Sequence, residues 1–158
     1  MSPAMRALTT VTAVGAGVAG GVFFAFSTFV MQGLRAVPPR DGLVSMQAIN
    51  RAAPTPAFMI VLLGTAAACV GLGAWTLTGL DQPGAWYRVV GCGLYLAAIV
   101  LTAVYHVPRN NALDAVDPDA VDAARRWVAY AGPWTAWNHV RTVTSVAGAA
   151  LLVIGSRA

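Results

Sequence analysis

The chain has 158 residues, of which 58% are hydrophobic and only 10% charged, with a mean hydropathy of +0.66. A soluble domain carries about 25% charged residues, so the composition excludes an ordinary soluble fold. All ten cations are arginine and all six anions aspartate. The net charge of +4 does not describe a nucleic-acid binder, because the arginines stand at the edges of apolar runs and not together on one solvated face.

The length fits one domain, residues 1–158. A transmembrane helix needs about 20 apolar residues, and uncharged runs long enough for one extend from Ala7 to Leu34, Ala52 to Leu80 and Val89 to Pro108. In the first, Arg6 precedes the apolar stretch as in a signal peptide. The run continues through Phe23, Phe24, Phe26 and Phe29 without a small-residue cleavage site, so it reads as a retained helix. Gly17 and Gly21 within it form a G-x-x-x-G pair, which favours close helix approach inside a bundle or between subunits. Val37-Pro38-Pro39 stops this helix, and a short interfacial helix is expected over about 42–52 before Pro54 and Pro56 open the second span.

Spans two and three are joined by the tight turn Asp81-Gln82-Pro83-Gly84. Cys69 and Cys92 fall within these spans at different expected depths, as packing thiols without a disulfide. Glycines around Gly15, Gly20, Gly71 and Gly91 lack the strand-to-helix context of a nucleotide loop and read as packing positions. Pro108 should end or kink the third span near His106, freeing carbonyls that Asn110 or Asn111 would satisfy. A second interfacial helix is expected over about 118–131, with Asp117 as N-cap, Pro118 at its first position, an Asp122–Arg126 pair, interfacial Trp127 and Tyr130, and a break at Gly132-Pro133.

The uncharged stretch Thr142 to Ser156 is too short to span alone. The fourth helix reaches spanning length only if it starts near Thr135 and takes Asn138, His139 and Arg141 inside. The fold expected is all-α, an integral membrane four-helix bundle with spans of about 7–34, 56–79, 87–107 and 135–156 and short interfacial helices in the two long connections. Those connections carry Arg35, Arg40, Arg51, Arg109, Arg125 and Arg126, against Arg6, Arg88 and Arg157 opposite, which places them in the cytoplasm. The expected location is a bacterial inner membrane.

Reactive side chains gather at the long-connection end. The interiors of spans one to three hold no acid or base, which disfavours a proton or ion path, and a polar channel lining is missing. At 100° per residue, Trp134, Trp137, Asn138 and Arg141 share one face of the fourth helix, continued by Ser145, Gly148 and Leu152. His139 points away from it, towards headgroups. Trp75 and Trp86 suit an interfacial belt on the opposite side. For His106 a backbone-bonded interfacial histidine stands against a base or ligand, and for Arg141 a snorkelling cation stands against a buried functional one.

MQAIN at Met46 to Asn50, the H-x-P-x-N pattern of His106, Pro108 and Asn110, and W-x-x-Y-x-x-x-W-x-x-W-N-x-x-R from Trp127 to Arg141 resemble the anthrone-oxygenase-like family of small integral membrane proteins. The first helix, with FFAFSTFVM, resembles it too. The resemblance implies a four-helix membrane bundle and oxidation of an anthrone to an anthraquinone by O2. It selects Asn50, His106, Pro108, Asn110, Trp134, Trp137, Asn138 and Arg141. Anthrone oxidation needs a base, donors for a developing oxyanion and flat apolar walls. His106 is the candidate base, Arg141 with Asn110 and Asn138 the oxyanion donors. Trp134, Trp137, Asn50, Met46, Tyr105 and Asn111 are the candidate substrate contacts. No cofactor is required in this scheme and no metal site is expected. A haem or metal held through His106, with His139 as a second ligand, is the alternative enzymatic form. The expected partners are a hydrophobic small molecule, O2 and the lipid bilayer, with no nucleic acid; small-residue faces allow a homo-oligomer. The non-catalytic alternative is a membrane module that binds a lipid, quinone or partner protein.

Overall fold

The computed structural model describes residues 2–158, and among them the secondary structure is entirely helical. Four helices are long and apolar enough to cross a membrane: α1 (Pro3–Ala36), α3 (Pro56–Leu77), α4 (Ala85–Asp114) and α5 (Ala123–Arg157). The interfacial α2 (Pro39–Ala52) follows α1. Local chemistry sets the starts. Ser2 and Thr55 accept the backbone N–H of Met5 and Phe58 at 3.3 Å, each with proline at the next residue, where its missing N–H costs nothing. Gly84 enters α4 at φ +73°, a left-handed conformation that a Cβ would strain.

The spans form a ring in which α5 packs along both α1 and α4, and α3 packs mainly on α4. Small residues allow the tightest of these contacts. A Cβ on Gly91 would lie 2.9 Å from the Gly148 carbonyl oxygen, and one on Gly148 would lie 2.8 Å from that of Gly91, so α4 and α5 touch backbone to backbone. Gly17 and Gly21 take no part in such an approach: the first meets only the Ala149 methyl, at 4.0 Å, and the second faces open space. Phe23, Leu62, Leu72, Tyr95 and Leu152 fill the transmembrane core. A second core at the long-connection end joins Met31, Leu43 and Met46 to Trp127, Tyr130 and Trp134. Exposed Val, Ile, Phe and Trp side chains on the outer faces supply the apolar girdle that a bilayer requires.

The connections depart from the sequence-based expectation in several places. No break occurs at Gly132-Pro133; α5 is one helix of 35 residues with Pro133 inside it. The proline removes one backbone bond, and neighbouring groups secure the same stretch: Arg35 Nη2 and Thr135 Oγ1 both donate to the Ala131 carbonyl. Trp127 and Tyr130 are accordingly buried in the second core, not spread on the interface. Nor does α5 start at Asp117. That carboxylate accepts the Asp119 N–H at 3.0 Å and holds a turn, so the helix begins six residues later, at Ala123. The Asp122–Arg126 pair forms at 2.7 Å. Cys69 and Cys92 are both free and buried, but they face each other across α3 and α4 and do not lie at separate depths.

Candidate functional site

Each of the first three spans contains a π-helical turn in its half nearest the long connections: Phe26–Val30 in α1, Ile60–Gly64 in α3 and Thr102–His106 in α4. The third lies just before Pro108, whose nitrogen cannot donate to Val104, and the wide turn lets α4 run on to Asp114 instead of ending near His106. Such turns leave carbonyls poorly paired, and polar side chains meet them. Asn138 Nδ2 donates to the Phe23 carbonyl at 2.8 Å, the Tyr95 hydroxyl to that of Leu62 at 3.1 Å, and His106 Nδ1 to that of Leu101 at 3.4 Å.

Between these turns lies a cavity of about 250 Å³. Phe26, Leu62 and Thr102 each bring one residue of a π turn to its wall. Met46, Ile49 and Asn50 of α2 cap it, and Trp134 and Arg141 of α5 close the side opposite α3. The cavity adjoins a shallow outer groove between α1 and α3, the two sharing Val22, Phe26, Ile49, Ala53 and Phe58 as walls.

Arg141 dominates the chemistry of this space. It is 6% exposed, and among the described residues no carboxylate lies within ion-pair distance of it. Its Nε and Nη2 donate to Asn138 Oδ1 at 3.1 and 2.6 Å, and Nη1 donates to Thr102 Oγ1 at 3.3 Å. The guanidinium stands 3.9 Å from the centre of the Phe23 ring, a cation–π contact. A guanidinium carries five N–H donors, so the fork keeps donor capacity beyond these bonds, on a side chain that lines the cavity. Asn138, 0% exposed, bonds Phe23, Ser27 and Arg141 together and is not itself in the lining.

Asn110 does not satisfy freed carbonyls of its own helix. Its Oδ1 accepts from Tyr130 Oη at 2.9 Å and from Trp134 Nε1 at 2.8 Å, which fixes the indole as a wall. Asn111 lines the rim. Thus Met46, Asn50, Asn110, Asn111, Trp134 and Arg141 come together around one space, while His106, Asn138, Tyr105 and Trp137 do not line it. His106 is 1% exposed and meets the Trp134 ring edge-on at 5.1 Å; its Nε2 is buried without a hydrogen bond. Trp137 is 45% exposed, outside the buried face formed by Trp134, Asn138, Arg141, Ser145, Gly148 and Leu152, and packs at 5.3 Å on Tyr105. Arg109 in turn covers Tyr105 at 4.5 Å. His139 is exposed and does not converge with His106.

Sequence reasoning passed over Thr102, Phe23 and Asp114. A signal was present for two of them: Thr102, His106, Asn110 and Asp114 recur every four residues along one flank of α4. Gln47, within the same MQAIN segment, is a strut whose Nε2 donates to the carbonyls of Leu113 and Val116 at the end of α4.

The fold and site together define a small four-helix membrane bundle with an aromatic-walled cavity that holds a buried arginine. The chain belongs to the anthrone oxygenase family, which matches residues 44–151. The match contains every lining residue from Met46 to Arg141, whereas the α1 wall of Val22, Phe23 and Phe26 lies before it. Neither a curated protein nor a solved structure matches the chain. It is a membrane oxygenase-like protein.

Proposed function

We propose that the cavity is the active site of an oxygenase that converts a flat, hydrophobic anthrone-type ketone to its quinone. The observation that carries this reading is Arg141: a buried guanidinium with no acid partner, lining an aromatic-walled space. Such a group favours a ligand oxygen that acquires negative charge. Removal of one methylene proton from an anthrone puts charge on its carbonyl oxygen, opposite Arg141. The carbanion form reduces O2 and forms a C–O bond, giving a hydroperoxide. Loss of the second methylene proton with hydroxide then leaves a carbonyl, so one oxygen atom enters the ring and the other departs as water.

In this scheme Asn138 positions the fork through Oδ1, and Asn110 holds Trp134 flat against the ligand. His106 is the base. Its Nδ1–H is directed to Leu101, which makes Nε2, beside the Trp134 backbone, the acceptor nitrogen of the neutral ring. Because Trp134 lines the cavity and His106 packs against that ring, proton transfer requires the Trp134–Asn110 bond to open and the indole to turn aside before it closes again on the ligand. The volume, just below the usual range of about 300–1,000 Å³ for small-molecule sites, suits a compact fused-ring ligand. The adjoining groove between α1 and α3 offers such a molecule a way in from lipid once the shared Phe26 and Phe58 side chains swing aside.

The structural use of Asn138 and Tyr95, both bonded to backbone carbonyls, favours a second reading in which the bundle binds a quinone without turnover. Oxygen uptake by detergent-purified protein supplied with anthrone separates the two. The oxygenase reading expects one O2 consumed per anthraquinone formed; binding of anthraquinone with no uptake supports the second.

A further inference from the structure

A second hollow, of about 240 Å³, lies on the outer face where the last turns of α4 meet the start of α5. It shares no lining residue with the cavity of Arg141. Buried Leu113, Val116 and Tyr130 form its floor, and the exposed Arg109 and Arg126 stand at its edge. Neither cation has a carboxylate to itself. Arg109 covers Tyr105, with no acid within ion-pair distance among the described residues. Arg126 commits only Nε to Asp122, a carboxylate that Arg125 also approaches, at 3.5 Å. The other acids of these connections are engaged elsewhere: Asp114 with Arg51, Asp119 with Arg40, and Asp117 with the Asp119 N–H. Around the hollow, Arg109, Arg125 and Arg126 outnumber Asp122, and the charge is net positive.

Its height along α4 is that of lipid phosphates. From the exposed Trp86, at the opposite end, to Arg109 is 23 residues, about 34 Å of helix, and the hydrocarbon layer of a bilayer is about 30 Å thick. Arg109 therefore clears that layer. One turn nearer the membrane, Tyr105 packs at 5.3 Å on the half-exposed Trp137, an aromatic step at the depth where acyl chains begin. Exposed Val104 continues the apolar surface beside it. We infer that the hollow seats the headgroup of an anionic phospholipid, with its phosphate between Arg109 and Arg126 and its chains descending past Tyr105 and Trp137. A soluble anion would meet the two cations alone, whereas a lipid matches both the cations and the aromatic step below them. The site stands independently of the oxygenase reading.

The test offers the full chain, purified in neutral detergent, an equimolar mixture of dioleoyl phosphatidylglycerol and dioleoyl phosphatidylcholine, and native mass spectrometry counts which lipid is retained. A basic side chain near a membrane surface favours an anionic lipid by about fivefold. The wild type is therefore expected to prefer phosphatidylglycerol by on the order of 25-fold, two such contributions together. Arg109→Ala and Arg126→Ala should each lower that preference about fivefold, and the double variant should abolish it. Continued retention of phosphatidylcholine by the double variant reports an intact bundle. Arg6→Gln, which removes an exposed cation at the opposite end, should leave the preference as it is. Equal retention of the two lipids by the wild type, or a preference undiminished in the double variant, overturns the site. A loss in Arg6→Gln as large as in Arg109→Ala would reduce it to diffuse attraction and overturns it too. Glycerol phosphate that displaces the lipid at equal concentration would make the occupant a soluble anion and refute the lipid assignment.

Discussion

Replacing Arg141 by methionine distinguishes a guanidinium that serves chemistry from one that only ties helices together. The wild-type side chain makes two hydrogen bonds to Asn138, one to Thr102 and a cation–π contact with Phe23. The bond to Thr102 is the one between helices, where such contacts average about 0.6 kcal/mol; with about 1 kcal/mol for the ring contact and about 1 kcal/mol for the bonds to Asn138 on the same helix, the loss is on the order of 3 kcal/mol. Against that stands the burial of a cation with no acid partner, a penalty of several kcal/mol that methionine does not carry. The thermal midpoint in detergent is therefore expected to stay level or rise. Turnover is expected to behave differently, because loss of one oxyanion donor costs about 10²–10³ in rate. Oxygen uptake and quinone absorbance with anthrone, measured beside the thermal midpoint, provide both numbers. A variant that melts several degrees lower yet turns over within a few-fold of the wild type would show that the guanidinium is a strut and refute its catalytic assignment.

Asn138→Ala is expected to act in the opposite sense on stability: it removes the side-chain donor to the Phe23 carbonyl and leaves the buried Arg141 fork without its acceptor, so a loss of about 1–3 kcal/mol should appear as a lower midpoint. An unchanged midpoint would remove Asn138 from the bundle's supporting bonds. Gly91→Ala should be destabilising by about 1–3 kcal/mol, since the new methyl meets the Gly148 backbone, whereas Gly21→Ala, with nothing within 4 Å, should be neutral or slightly stabilising; equal midpoints for the two would contradict the packing described. Arg40 bonds Asp119 at 2.7 Å and holds that carboxyl below its ordinary range. Whatever stability this exposed pair adds is present above the unfolded carboxyl value of about 3.9 and is lost as pH falls through the lower folded one. Asp119→Asn should therefore cost little at neutral pH and nothing in strong acid, and a difference that widens on acidification would count against it.

The spans were legible because membrane burial imposes a simple rule on composition: Arg6, Arg35, Arg51 and Arg88 delimit the apolar runs where the helices run. The inward face of α5 was legible from its angle. Trp137 was misjudged because it lies at the edge of that arc, where the partner's position decides exposure, and Tyr105 gives it an outer neighbour. The join at Gly132-Pro133 could not be read locally, since a proline breaks a helix in isolation but not where Arg35, about a hundred residues away in sequence, secures the same stretch. The cavity wall from α1 was equally hidden. Nothing in FFAFSTFVM announces that Phe23 faces Arg141, because that contact is set by how α1 packs along α5, and the π turn at Phe26–Val30 then resets the helical phase for the phenylalanines that follow.

The three π turns connect the sequence motif with the cavity. A wide turn displaces the helix around it and leaves carbonyls to be satisfied by something other than the regular ladder. In H-x-P-x-N, Pro108 removes the bond that would close a normal turn, His106 meets the Leu101 carbonyl, and Asn110 reaches across to α5 to hold Trp134 and Tyr130. Asn138 does for α1 what His106 does for α4, and its remaining oxygen is then free to hold Arg141. The motif residues thus differ in place: Pro108 and Asn138 support the widened helices, Asn110, Trp134 and Arg141 face the space that widening creates, and His106 supports α4 through Nδ1 from behind Trp134. It follows that Pro108 and Asn138 tolerate change only with loss of the cavity, whereas Arg141 is free to change with loss of chemistry alone.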